Sequence, residues 1–442
     1  MYDLRLSAEQ LQIRDTVRDF VAEVIKPLAL KPERLEARAR PLLVEALDQA
    51  AQMGLRTLAL SEDRGGAGAD NLTCCIVTEE LAVGDPDIAA VLAQTSTLAQ
   101  ALFDRLMTAE QRARFLPPFL AEERHHLALA EHEADRDAAL GINYHQPQTS
   151  GTPFKTTAVR AGDGWVVNGS KEGVVGASLA ALFVVRASIG EGGVATLLVP
   201  RDTPGLSVTA TEAATRTRHG ACGAVAFDDC RVPAENFLGA ESPLAADAGR
   251  HIPQDQALNL GIGRAAYEAA LDYAQLRTQG GRPIIEHQAI GAKLAEIAIR
   301  LEVARAAIWQ AAWASDHPDA FADRSLPDLP LTAVAAVFAA EAIYRAVKDA
   351  AECFGAGVQA DERVVHVLLQ RHVPHHAHGA EAFRRVLGGA VDRLRREHGG
   401  DGGQRQVGKA AIGERVRVVR CPGRLPNGGA RDFEPYRDLG EL

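Results

Sequence analysis

Apolar residues follow a helical period over most of this chain, a strand period in its middle third, and neither period near its end. The longest pattern spans 258–314 and predicts two helices on either side of a Gly-Gly-Arg-Pro break at 280–283. In the second helix Ile290, Leu294, Ile297, Leu301, Ala304 and Ile308 recur at steps of four and three, which lays one apolar stripe along one face. The break supplies the stop and restart. Upstream, Ser7 is placed to cap a helix carrying Leu11, Ile13, Val17, Phe20 and Val21. Helical patterns return at 40–53, 72–83 and 86–106. The turn-rich SEDRGGAGAD lies between the first two. Its Gly-Gly-Ala-Gly run at 65–68 lacks the Lys-Ser/Thr of a phosphate loop and reads better as a tight turn between helices.

From about 123 the pattern shortens. TTAVRAGDGWVVNGSK, AALFVVRAS, GVATLLVP and AVAFDDCRVP are β-branched runs separated by Gly and Asp turns, and they predict a small antiparallel β domain. Residues 132–153 are irregular and polar, as expected of a surface excursion. After about 240 the helical period resumes through an Ala-rich segment at 331–354. The expected fold class is therefore α+β. It comprises an N-terminal helical domain (1–122), a middle small antiparallel β domain (123–238) and a C-terminal helical bundle (239–356) that is truncated and followed by a non-native tail (357–442).

Composition narrows the function classes. With 442 residues the chain can bury large cores, and 47% hydrophobic with 24% charged residues is ordinary for a globular protein. A net charge of −10 argues against nucleic acid as a partner, and no apolar run is long enough to span a bilayer. Cys74, Cys75, Cys222, Cys230, Cys353 and Cys421 form neither a C-x-x-C pair nor a metal spacing, so reduced thiols are expected. The first ten residues lack an apolar signal core. A cytoplasmic location follows as an expectation.

Five local motifs, in order, resemble the acyl-CoA dehydrogenase family over residues 1 to about 356. They are SAEQLQIRDTVRDFVAEVIKPLA, GLRTLALSEDRGGAGAD, FDDCRVPAENFLG, LRTQGGRPIIEHQAI and AAECFGA. The resemblance implies an enzyme that binds FAD between the β domain and the C-terminal helices, with a neighbouring subunit of a homodimer or homotetramer completing the site. It implies an acyl-CoA substrate and an electron-transfer flavoprotein as acceptor. It also places Arg277 at the pyrophosphate of the neighbour's FAD, Gln288 nearby, and Glu352 and Gly355 where the family's Gln and first Gly approach that cofactor. Arginine offers phosphate a planar charged fork, and glycine admits close backbone approach. Read without the family, Arg277 is a solvated cation at a helix end and Gln288 a surface amide.

The departures lie on the flavin side. The family's T-E-P-x-A-G-S-D loop is here Ala130-Glu131-His132-Glu133-Ala134-Asp135, without the hydroxyl and the proline. Its K-x-W-I-T-N strand is Lys171-Glu172-Gly173-Val174-Val175-Gly176, without the aromatic and the threonine. Ala130 and Val175 thus occupy cofactor-binding positions without the family's hydroxyl groups, which leaves backbone groups to hold the ring. The family reaction needs a carboxylate within reach of the proton α to the thioester. Most members carry it in a Y-E-G-T loop after the last motif, and some near the start of the helix that runs from about 255. Aligned on Leu271-Asp272, the second position is Asp255, whose bland reading is a helix N-cap.

The tail differs in kind. His372, His375, His376 and His378 invite a metal-site reading, but a pairing rule explains the segment better. When residue n is set against residue 735 − n, from Lys293 with Leu442 to Ala356 with Gly379, reverse-complement codons can encode all of the 64 pairs except Val347 with Gly388. Trp309 faces Pro426 and Trp313 faces Pro422, as TGG and CCA require. The tail reads as antisense of the chain's own helical region. Apolar stripes come back as charge and alanines as Gly or Arg, so 358–442 is expected to pack poorly, and a metal site there is disfavoured. An inactive family member lacking its closing helices is the alternative to a working enzyme.

Overall fold

Ser7 opens the first helix as the sequence predicts. Its hydroxyl accepts from the Gln10 amide at 3.1 Å while the Gln10 side chain accepts from the Ser7 amide, a closed capping box. The computed structural model describes residues 5–31, 42–133, 154–190, 193–210, 221–240, 248–321 and 330–355. Helix α1 (Ala8–Phe20) continues through a π-type turn at Val21–Ile25, a feature the apolar period does not signal. Then come α2 (Val44–Gln52), α3 (Asn71–Gly84), α4 (Pro86–Ala99) and α5 (Ala109–Ala121). Asp70 caps α3 by accepting from the Thr73 amide at 2.7 Å, and Asp85 caps α4 ahead of Pro86. The Gly65–Gly68 stretch is the tight turn. Gly66 packs so close that a Cβ there would lie 2.1 Å from the Leu60 carbonyl oxygen.

Strands β1 (His126–Ala130), β2 (Thr157–Ala161), β3 (Gly164–Val175), β4 (Ala180–Gly190), β5 (Gly193–Pro200), β6 (Leu206–Ala210), β7 (Cys222–Pro233) and β8 (Phe237–Gly239) form one sheet in the order β6-β7-β3-β2-β4-β5-β8, with β1 also on β4. The expectation of a wholly antiparallel sheet needs correction. β1 runs parallel to β4, and β2 meets β4 in parallel at Thr157 and Ser188. Parallel neighbours cannot be joined by a tight hairpin; β2 and β3 intervene in the chain between β1 and β4, and β3 between β2 and β4. Alternation along β4 sends Leu182 and Val184 to a core shared with Phe103 and Phe119, and Phe183 and Val185 to a second core with Trp165 and Val225.

The chain returns to helix at α6 (Ala248–Leu276), about ten residues before the predicted start because Gly249 and Pro253 obscure the apolar period there. A short hairpin, β9 (Thr278–Gln279) with β10 (Arg282–Pro283), turns it into α7 (Gln288–Asp316), and α8 (Leu331–Cys353) follows. Of the predicted stripe, Leu294, Ile297, Leu301, Ala304 and Ile308 are buried and Ile290 is half-buried at the edge of the same core. Charge locks this bundle to the first helices. Glu79 and Glu80, both buried on α3, accept from Arg264 of α6; Arg305 of α7 bonds Glu79 at 2.8 Å and Arg18 of α1 bonds Glu80 at 2.8 Å. Each carboxylate is shared by two guanidinium groups, so neither is left unpaired in the low-dielectric interior. The order of helices, sheet and helices is that of the predicted α+β class. Of the expected surface excursion at 132–153 only residues 132 and 133 are described, and Glu133 is buried rather than at the surface because it pairs with Lys171. The remainder of that stretch, the His372–His378 group and the tail at 357–442 lie outside the described residues.

Candidate functional site

The residues singled out from the sequence fall into two groups. The first surrounds α4, where sheet and bundle meet. β3 runs antiparallel to β1, and the Glu172 amide donates to the His132 carbonyl at 3.0 Å. That tie sets Ala130 opposite the Val174–Val175 end of β3. Ala130 is wholly buried and its side chain belongs to the sheet core, so only its backbone can serve a ligand at the seam. Val175 points the other way and packs against the helical core. The next residue, Gly176 (φ 71°), faces α4: a Cβ built there would lie 3.8 Å from Val91 Cγ1.

A buried ion pair holds these strand ends. Lys171 Nζ lies 2.6 Å from Glu133 Oε1, with the lysine side chain fully enclosed, and it also reaches the Glu131 carbonyl at 3.4 Å. Glu133 accepts from the Lys155 amide at 2.8 Å and the Thr156 amide at 3.1 Å, and the ammonium sits 4.0 Å from the Phe154 ring centroid. Burial alone would raise the Glu133 pKa. The Lys171 ammonium and the amides outweigh it and hold the carboxyl down at about 2. Beside it Arg186 pairs with Glu131 at 2.5 Å. The sequence contains both partners of each pair, but nothing in a linear pattern joins residues 38 or 55 positions apart.

The other side of α4 leads to Asp255. Thr97 donates to Gln254 Oε1 at 2.9 Å, and the Gln254 amide continues to Asn71 Oδ1 at 2.9 Å. The Asn71 backbone amide donates to Asp316 at 2.7 Å, and Arg250 closes the network on Asp316. Burial raises the Asp316 pKa against the hydrogen bond from Asn71 and the charge of Arg250. Asp255 itself is half-buried, two turns inside α6, so the N-cap reading is corrected. Its carboxylate is held by the helix body rather than used at the helix end.

The second group gathers at the far tip of the bundle. Arg277 follows the last residue of α6, Gln288 opens α7, and Glu352 and Gly355 close α8. About 32 Å of helix separates this tip from Asp255, at 1.5 Å per residue. Arg277 is exposed and makes no ion pair among the described residues, and Gln288 is exposed beside the hairpin. Glu352 pairs with Lys293, which lowers its pKa and cancels its charge. With Glu352 paired, the exposed Arg277 and Arg282 outnumber the exposed Glu286 at the tip, a cationic balance that suits an anion. Gly355 takes φ 54° as the left-handed residue that ends α8, with open space where a Cβ would stand. One group lies near the start of α6, beside the β1–β3 seam, and the other at its far end. At the seam Gly173 (φ 63°) leaves open space where a Cβ would stand. Among the described residues no group of His, Cys, Asp and Glu is placed to hold a metal, and no helix is long and apolar enough to cross a membrane.

Comparison with known proteins identifies the family and the fold. Models of the acyl-CoA dehydrogenase N-terminal, middle and C-terminal domains match residues 7–123, 147–230 and 256–390, the last running past the final motif read from the sequence. A probable acyl-CoA dehydrogenase of Bacillus subtilis is 29% identical over 83% of this chain and 93% of its own length. The short-chain specific acyl-CoA dehydrogenase of Homo sapiens mitochondria is 30% identical over 69% of this chain and 72% of its own. In three dimensions the butyryl-CoA dehydrogenase of Megasphaera elsdenii superposes with a TM-score of 0.74 at 24% identity, covering 89% of this chain and all of that one.

Proposed function

Because this chain belongs to the acyl-CoA dehydrogenase family, flavin-dependent oxidoreductases acting on CH–CH groups, we propose that it α,β-dehydrogenates an acyl-CoA thioester and passes the electrons to an electron-transfer flavoprotein. The observation that carries this reading is the seam around α4. Val91 on one side meets the β3 turn, and Thr97 on the other is bonded to the α6 segment that carries Asp255. A thioester lying there would have the strand ends on one side and a half-buried carboxylate on the other.

In this reading the Asp255 carboxylate takes the proton from the α-carbon, and partial burial strips the water that would otherwise compete for it. FAD, when bound, supplies the acceptor for the hydride from the β-carbon. The backbone of Ala130 and the Val175 end of β3 orient the ring. Arg277 and Gln288, with the glycine-opened backbone at Gly355 and the neutralised Glu352, hold the diphosphate of a partner subunit's cofactor in a homodimer or homotetramer. The test is Asp255→Asn in flavin-loaded protein. Bleaching of the flavin by acyl-CoA should slow roughly 10²- to 10⁴-fold while the flavin spectrum is kept. Unchanged bleaching would remove Asp255 from the role, and colourless protein that takes up no FAD would favour an inactive family member.

A further inference from the structure

Gln94 Oε1 is the only oxygen among the buried side-chain atoms of the described residues without a hydrogen-bond partner in the protein; the other such atoms are nitrogens of arginine, tryptophan and histidine. Its direction follows from helix geometry. Gln94 lies three residues after Val91 and three before Thr97, hence about 60° round α4 from each. Val91 faces the Gly176 turn and Thr97 is bonded to Gln254, so Gln94 points between them, into the seam that separates the sheet from α6. Its neighbours on α4 are occupied elsewhere. Thr95 bonds the Leu127 carbonyl at 3.5 Å, and Ser96 accepts from the Ala59 amide at 2.8 Å.

We infer that Gln94 is a specificity-determining residue that selects acyl groups carrying a hydrogen-bond donor beyond the β-carbon, a hydroxyl foremost. The inference rests on the dehydrogenation reading of this seam. A buried acceptor without a partner is costly, and a ligand that brings a donor removes that cost while a plain alkyl chain leaves it in place. Sites built this way discriminate strongly against the analogue that lacks the donor, because the protein group is then stranded. The donor must lie at the γ-carbon or farther, since the α- and β-carbons are the ones that lose hydrogen.

The probes are 4-hydroxybutanoyl-CoA and pentanoyl-CoA, which differ by hydroxyl against methyl at the chain end. With the flavin-loaded full chain, kcat/KM for the hydroxyl thioester should exceed that for the methyl thioester by about ten-fold or more. Gln94→Leu should erase that ratio while keeping turnover of pentanoyl-CoA. Calorimetric binding of both thioesters to wild type and variant separates this inference from the reaction itself. A binding preference for the hydroxyl thioester, lost in Gln94→Leu but without flavin bleaching by either, would sustain the inference and sink dehydrogenation. Equal binding and equal kcat/KM of the two thioesters in the wild type, or no binding of either, would overturn it whatever the variant does.

Discussion

Replacing Lys171 with methionine would leave the Glu133 carboxylate buried without its counter-charge. The side chains are 0% and 7% exposed, and 2.6 Å separates the charged atoms. Breaking a buried pair by removing one partner costs about 3–5 kcal/mol, because an uncompensated charge remains in low dielectric. Here Glu133 keeps its bonds from the Lys155 and Thr156 amides, so the lower end of that range, about 3 kcal/mol, is expected. The pH dependence is distinctive. Glu133 titrates at about 2 in the folded protein, below its value in the unfolded chain, so its contribution is complete above an ordinary glutamate pKa of roughly 4.3 and is lost as pH falls toward 2. Without Lys171 the folded pKa rises, so the carboxyl protonates at higher pH and the acid-labile contribution shrinks. The double substitution Lys171→Met with Glu133→Gln removes both charges and should recover much of the loss. Urea midpoints of the three proteins at pH 7 and pH 4 measure this. A single variant within about 1 kcal/mol of wild type, or a double variant much weaker than the single, would refute the argument that the pair is a desolvated unit.

Two further outcomes follow from the seam and from the tail. Val175→Thr keeps the volume of a half-buried side chain that faces the helical core and restores a hydroxyl, so titration of apoprotein with FAD should show affinity tightened by up to about ten-fold; unchanged affinity would mean that the backbone alone holds the ring. Long reads across the codon for residue 357 in independent genomic clones should carry an uninterrupted inverted arm if the antisense pairing of 293–356 with 379–442 is part of the gene. A continuous sense sequence there would instead mark the tail as an artefact of assembly or amplification.

Much of the fold was legible because local physics writes it into short stretches. Ser7 ahead of an apolar-periodic run reads as a cap, and the Ile290–Ile308 stripe has one face it can bury; the Asp70 and Asp85 caps emerged with the structure. The glycines at 65–68 read as a turn because no Lys-Ser/Thr follows them, and Gly66 does lie against the Leu60 carbonyl. Family motifs added the cofactor and named Arg277, Gln288, Glu352 and Gly355, and the bundle places all four at one end because three helices alternate in direction. What the tertiary structure alone decided depends on contacts between residues far apart in the chain. The parallel seating of β1 on β4, the burial of Lys171 against Glu133, and the sharing of Glu79 and Glu80 among three arginines have no period to betray them. The same is true of direction: Ala130 turns into the sheet core while Val175 turns to the helices, and Gln94 is left with an unanswered oxygen. A sequence states which groups are present and which face of an element they share, but whether a buried polar group finds its partner is settled only when distant segments close around it.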